Sequence, residues 1–203
     1  MNRLFLFALV LCVATTGCSN TSATGKPGDG KSNDGKANEG VKVSGGEAKL
    51  SGENTKIEFV CLHSDPNKPD PRKGGFKTFA GKATVDGTAL KAIEVEIDTE
   101  SVYTEFEKLT IHLKSQDFFN VKEHPKAKFV STKIEPAGDG KVNITGDLTL
   151  LAETKSITFP ATVSAGKYLT LIAEFKIDRT AFGMTYGEGK VEKEVAMTIS
   201  IGK

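Results

Sequence analysis

The chain has no Trp and, in 203 residues, only three Cys, three His and seven Pro. Its 27 basic and 26 acidic side chains nearly cancel, leaving a net charge of +1. Without an excess of either sign, no long-range field draws the chain to nucleic acid or to an acidic surface, so no nucleic-acid partner is expected. The three histidines, His63, His112 and His124, are too scattered to suit a metal site. There is no Gly-x-Ser-x-Gly elbow, no Walker loop and no dinucleotide fingerprint. Carboxylate pairs such as Glu94 and Glu96 fall on the outer face of an alternating run, where solvation accounts for them. The reading is therefore not an enzyme, with no catalytic residue, no metal and no cofactor.

Only one long apolar run is present, Leu4 to Ala14, and it is too short to span a bilayer. Preceded by Asn2 and Arg3 and followed by small residues, it reads as an export signal over residues 1–17. The site ATTGC resembles a lipoprotein signal, with Thr15 where Leu is usual, which implies that Cys18 is lipidated and becomes the mature N-terminus. Acyl chains on Cys18 would tether the protein to a membrane, and Ser19 after it points to the outer membrane, facing the periplasm. Simple secretion after Gly17 is the alternative. With Cys12 in the signal and Cys18 at the new terminus, Cys61 stands alone and no internal disulfide can form. It ends the alternating run Ile57, Phe59, Cys61, which makes it a small buried apolar residue.

Residues 18–48 are Gly, Ser, Thr, Asn, Asp and Lys with almost no large apolar side chains. Such a segment cannot bury enough surface to offset its ordering entropy, which predicts a disordered linker ahead of a folded domain over residues 49–203. There the pattern becomes two-residue alternation, as in Phe79, Gly81, Ala83, Val85 and in Leu169, Leu171, Ala173, Phe175, Ile177. Such runs are half-buried strands. The turn sequences VDGT, AGDGK and SAGK between them suit antiparallel hairpins. About seven or eight strands with one apolar face each are satisfied by a second sheet or by closure into a barrel, and periodicity does not separate the two. A loop is expected from Ser64 to Gly75. Thr104 followed by Glu107 predicts a capping box opening a short helix to about Gln116, with Phe106, Leu109 and Leu113 on one face.

One succession of residues is specific. Ser101, Val102 and Thr104 are followed by His112, Leu113 and Ser115, then by Asp117, Phe118 and Phe119, then by Pro125, Phe129, Ser131 and Thr132. GDLTLLAETKSITFP follows from Gly146 and RTAFG from Arg179. In this order they resemble the YceI-like family over roughly residues 50–203. The resemblance implies a mainly β fold, an antiparallel up-and-down lipocalin-like barrel of about eight strands with a short helix. It also implies a ligand, a polyisoprenoid or other long-chain lipid held inside. The chain departs from the family at Ala152 and Glu153, where a turn glycine is usual, and at His124, where an aromatic is commoner; both sit in loops.

Inward positions then become candidates for the wall of a cavity. Among the 12 Phe these are Phe59, Phe76, Phe79, Phe118, Phe119, Phe129, Phe175 and Phe182. Val95, Ile97, Leu113, Leu148, Leu150 and Met197 join them from the same faces. Arg179 either closes one end of the barrel or meets a polar head group, while His112 is expected to be a hydrogen-bonded structural residue. The function expected is non-catalytic binding, storage or transport of such a lipid in the cell envelope. The alternative is an envelope interaction module with a solid core.

Overall fold

The structure is a computed structural model that describes residues 40–63 and 70–202. Cys18, the export signal and Ser64 to Pro69 lie outside the described residues. The strands are β1 (Val41–Ser44), β2 (Glu47–Ser51), β3 (Thr55–Cys61), β4 (Arg72–Phe76), β5 (Phe79–Asp86) and β6 (Ala89–Asp98). After β7 (Val102–Thr104) and helix α1 (Glu107–Lys114) come β8 (Lys126–Gly138), β9 (Lys141–Leu150), β10 (Glu153–Ser164), β11 (Tyr168–Asp178) and β12 (Glu194–Ile201).

β2 and β3 are successive halves of one bent strand, and so are β4 and β5, because the first pairs with the second across both halves. Counted this way, eight antiparallel strands follow one another around the sheet. β12 then pairs with β3, Met197 facing Phe59 and Ile199 facing Ile57, and closes it into a barrel. Closure disposes of the two edges an open sheet would present. β1 adds beside β2 and β11 at one end, and β7 beside β4 at the other. The expected hairpin turns are in place, with left-handed backbone at Gly87, Asp139 and Gly140. The β9–β10 turn carries φ 54° at Leu151, a conformation glycine would hold without strain.

Burial along the inward faces shows how the interior is filled. On β11, Leu169, Leu171 and Ala173 are buried, whereas Phe175 and Ile177 are half-buried. On β12, Ile201 is buried, whereas Ile199, Met197 and Val195 are half-buried. The register sets Leu171 beside Ile201 and Ile177 beside Val195. One end of the barrel is therefore packed solid, with Ala48, Ala83 and Ile144 completing its floor, and the other is less filled.

Two inward glycines make room for rings. Gly146 on β9 lies under Phe129 of β8, and a methyl group there would come within 2.5 Å of the ring Cζ. Gly74 on β4 lies under Phe59 of β3, where the corresponding approach is 2.6 Å. In each pair an aromatic ring covers the backbone that glycine leaves bare.

Three expectations need correction. Strand structure begins at Val41, inside the expected linker, because Val41 pairs with Leu169 and Val43 with Ala48. The second half of the expected loop is strand β4, whose glycines fit closely against β3 and β7. The helix exists but has no capping box: its N-cap is Phe106, without a side-chain cap. Thr104 belongs to β7, and its hydroxyl is taken by Phe106 N–H and by Thr110 Oγ1 at 3.0 Å. Phe106 is half exposed and stacks under Arg72, not on the face of Leu113.

Gly146→Ala is expected to lower unfolding free energy by about 1–3 kcal/mol, because the ring or the strand must shift. Gly166→Ala, with open space around it, should stay within about 0.5 kcal/mol. Urea denaturation of both variants checks this; equal midpoints would remove the ring-over-glycine account.

Candidate functional site

The hollow half holds two apolar cavities in tandem, each of about 100 Å³. Among the described residues the inner one is walled by β-strand residues alone, including Val95, Ile97, Phe129, Leu148, Phe175 and Met197. The outer one lies beneath the helix and is bounded by Phe59, Phe76, Leu113, Phe118, Phe119 and Leu150, again with Met197. Ile177 and Met197 are common to both walls and form the waist between them. Each volume is roughly three times the ~30 Å³ share of one water molecule in the liquid.

Twelve of the fourteen expected wall residues, those named in the two preceding lists, thus line one cavity or the other. Phe79 and Phe182 are buried in the core away from both walls. Phe79 pairs with Ile97 on β6, and Phe182 belongs to the 3-10 turn Arg179–Phe182 that ends in left-handed Gly183. Sequence reasoning passed over Phe159, whose ring stacks on Phe175 at 4.2 Å and tilts against Phe129 at 5.6 Å. Ile57, Ile157, Leu171, Val195 and Ile199 were also missed as wall. The same alternation marked them all as inward, so the signal was available but did not discriminate among levels.

The outer cavity is capped by an aromatic cluster. Phe76 meets Phe119 edge-on at 5.4 Å and Phe59 at 6.1 Å. Above Phe118, the His112 ring sits edge-on to Phe118 at 5.0 Å and to Tyr186 at 4.7 Å, so the helix is tied to the 183–192 segment. His112 Nε2 is also 2.7 Å from Asp117 Oδ2, the hydrogen-bonded arrangement expected of it.

Arg179 is only 4% exposed. Its guanidinium donates to the carbonyls of Glu192 at 3.0 Å, Val191 at 3.1 Å and Met184. The guanidinium spreads its donors over three nitrogens in one rigid plane, whereas an ammonium offers its three from a single nitrogen. The arrangement pins the 184–192 segment across one end of the barrel, which is the closing role, and leaves two N–H groups uncommitted to these bonds. Cys61 lines the outer cavity and is half-buried, and burial raises its thiol pKa despite the nearby Arg179. A thiol so shifted is a poor nucleophile. Among the described residues no three of His, Cys, Asp and Glu cluster as metal ligands.

The YceI-like domain profile matches residues 49–202. The chain belongs to the YceI-like family. A UPF0312 protein of Pseudomonas putida (strain W619) is 33% identical over 137 residues, covering 63% of this chain and 71% of that protein. Protein YceI of Escherichia coli O157:H7 is 36% identical with the same coverage. Among solved structures, BcnA of Burkholderia cenocepacia is similar with a TM-score of 0.63 at 28% identity, covering 72% of this chain and 94% of that one. A polyisoprenoid binding domain from Saccharophagus degradans, implicated in plant cell wall breakdown, shares the fold at 11% identity with a TM-score of 0.57, covering 78% and 99%. The closed barrel and short helix are thus those of this YceI-like family.

Arg179→Lys is expected to leave buried carbonyls without donors and to cost about 1–3 kcal/mol. Urea denaturation should show the loss, and amide exchange should quicken at Val191 and Glu192. Wild-type behaviour in both would mean the fork does not hold that segment.

Proposed function

We propose that this YceI-like barrel binds one long apolar chain, a polyisoprenoid or related lipid, and stores or carries it without converting it. The observation that carries this reading is the change along the inward faces from fully buried to half-buried apolar side chains. The less filled half presents hydrocarbon to an empty space, which is the usual character of a small-molecule site. The structural neighbour named for polyisoprenoid binding is in keeping with it, although the chemistry of the two cavities carries the argument.

Burial is worth roughly 0.8 kcal/mol per methylene, so a five-carbon isoprene unit contributes on the order of 3 to 4 kcal/mol before ordering costs. A few units suffice without any polar contact. Among the described residues the two walls hold no carboxylate or imidazole, so an apolar chain meets little that could react with it. Arg179 is the one charged residue among the described residues on them, and it is the group a polar head would meet. The modest volume of each cavity favours a second reading, a ligand-free barrel that serves as an interaction module of the envelope.

The site of action we infer is the periplasmic side of the envelope. Residues 1–17 would direct export, and acyl chains on Cys18 would anchor the domain to the outer membrane.

Mass spectrometry of gently purified protein separates the two readings. A carrier should release a prenyl lipid on denaturation and, once stripped, take one up again. An intact barrel that neither contains nor takes up such lipids is the ligand-free module. For the anchor, Cys18→Ser should move the protein from the membrane to the soluble fraction; an unchanged membrane fraction would count against lipidation.

A further inference from the structure

Among the described residues two seams of the barrel are not laced along their length. β6 and β8 pair only from Glu94 with Val130 to Asp98 with Lys126, and the stretch left over is level with Ala83 of the floor; the β10–β11 gap instead lies beside the inner cavity. The β10–β11 register pairs run only from Thr162 with Ile172 to Ser164 with Thr170. The neighbouring β9–β10 ladder, by contrast, runs from Glu153 to Thr162 on the same strand β10. The cause lies in the sequence. Val163 donates its N–H to Gly140, on the β9 side, so the alternate residues Thr158, Pro160 and Thr162 direct their main-chain groups toward β11. Continuing the observed register sets Pro160 opposite Glu174, and proline has no N–H to give. The ladder stops there. Proline in a sheet belongs at an edge or an irregularity, and this one creates an edge inside a closed barrel.

What fills the seam on the inside is the stacked pair Phe159 and Phe175, 4.2 Å apart with planes 11° from parallel. Both rings line the inner cavity. That cavity is shut below by the solid floor and narrowed above by Ile177 and Met197, and the unlaced stretch of β10–β11 opens onto it where these two rings line the wall. Outside, Ile172 beside the seam is 56% exposed, an apolar side chain where a hydrocarbon chain would first touch.

We propose that the β10–β11 seam is the lateral route by which an apolar chain reaches and leaves the inner cavity, with the Phe159–Phe175 stack as its door. This rests on the lipid-holding reading. Two rings can part with no ladder to break, whereas passage from the helix end must displace the Phe118, His112 and Tyr186 cluster and then pass Met197. A route alters rates of uptake and release together and leaves the affinity alone.

All-trans-retinol, an isoprenoid polyene, serves as the probe in stopped-flow fluorescence; the chain has no Trp to add background. Pro160→Val restores the missing donor and should slow both uptake and release by about tenfold at unchanged Kd. A second variant, Thr158→Cys with Lys176→Cys in a Cys61→Ser background, ties the seam directly. It should show the same slowing when oxidised and, when reduced, the rates of its Cys61→Ser parent. Unchanged rates in either folded variant overturn the seam while retinol binding leaves the lipid reading standing. If Pro160→Val does not fold, the oxidised and reduced forms of the cysteine pair decide alone. Folded wild-type protein that binds no retinol overturns both.

Discussion

The β3–β12 ladder is the constraint on which the rest of the molecule depends. Without it the sheet has two long edges and an apolar face with nothing opposite. With it, Phe59 faces Met197 and Ile57 faces Ile199, and every inward side chain is committed to one enclosed volume. Strand number then sets the width, and a barrel of about eight strands is just wide enough to be filled by side chains or to hold one slender ligand. This chain does each in a different half.

The division follows from which residues face inward at each level. At the floor, Leu169, Leu171, Ile144 and Ile201 are buried in one apolar core that excludes solvent. Toward the helix the rings of Phe59 and Phe129 fold back over Gly74 and Gly146 instead of reaching into the centre. Space along the axis is left over, and the side chains around it forgo contacts they could have made. Arg179, held by main-chain carbonyls, and the His112 cluster close the far end without filling the interior. The hollow is therefore supported on all sides by residues whose own partners are already satisfied; no buried side-chain N or O among the described residues lacks a hydrogen-bond partner.

Much of this was legible in the sequence, for reasons that also mark where legibility stopped. Alternation identified the inward faces of β5, β6, β9, β10, β11 and β12, because a period of two depends only on the strand itself. It could not tell Phe79, buried outside either cavity, from Phe175 on a wall, because that depends on what stands across the barrel. β4 went unseen since Gly74 and Gly75 read as a loop, yet they are glycines because β3 and β7 approach so closely. β1 went unseen because a four-residue strand in a Gly- and Lys-rich stretch has too little pattern of its own. Thr104 offered a capping box in sequence, but strand β7 claimed its backbone and Thr110 its hydroxyl, so tertiary pairing overrode a local signal. Pro160 is plain in the sequence, but only the register showed which neighbour it deprived of a donor.

The central claim is that the half-buried apolar side chains face a space an apolar chain can occupy. Methyl-resolved NMR during titration with a prenol tests it most directly. The account predicts that the methyl signals of Ile57, Leu148, Ile177 and Met197 shift and saturate together, while those of Leu169 and Ile144 in the floor stay still. Shifts confined to exposed methyls such as Ile111 and Ile172, or no saturable shift at all, would contradict it.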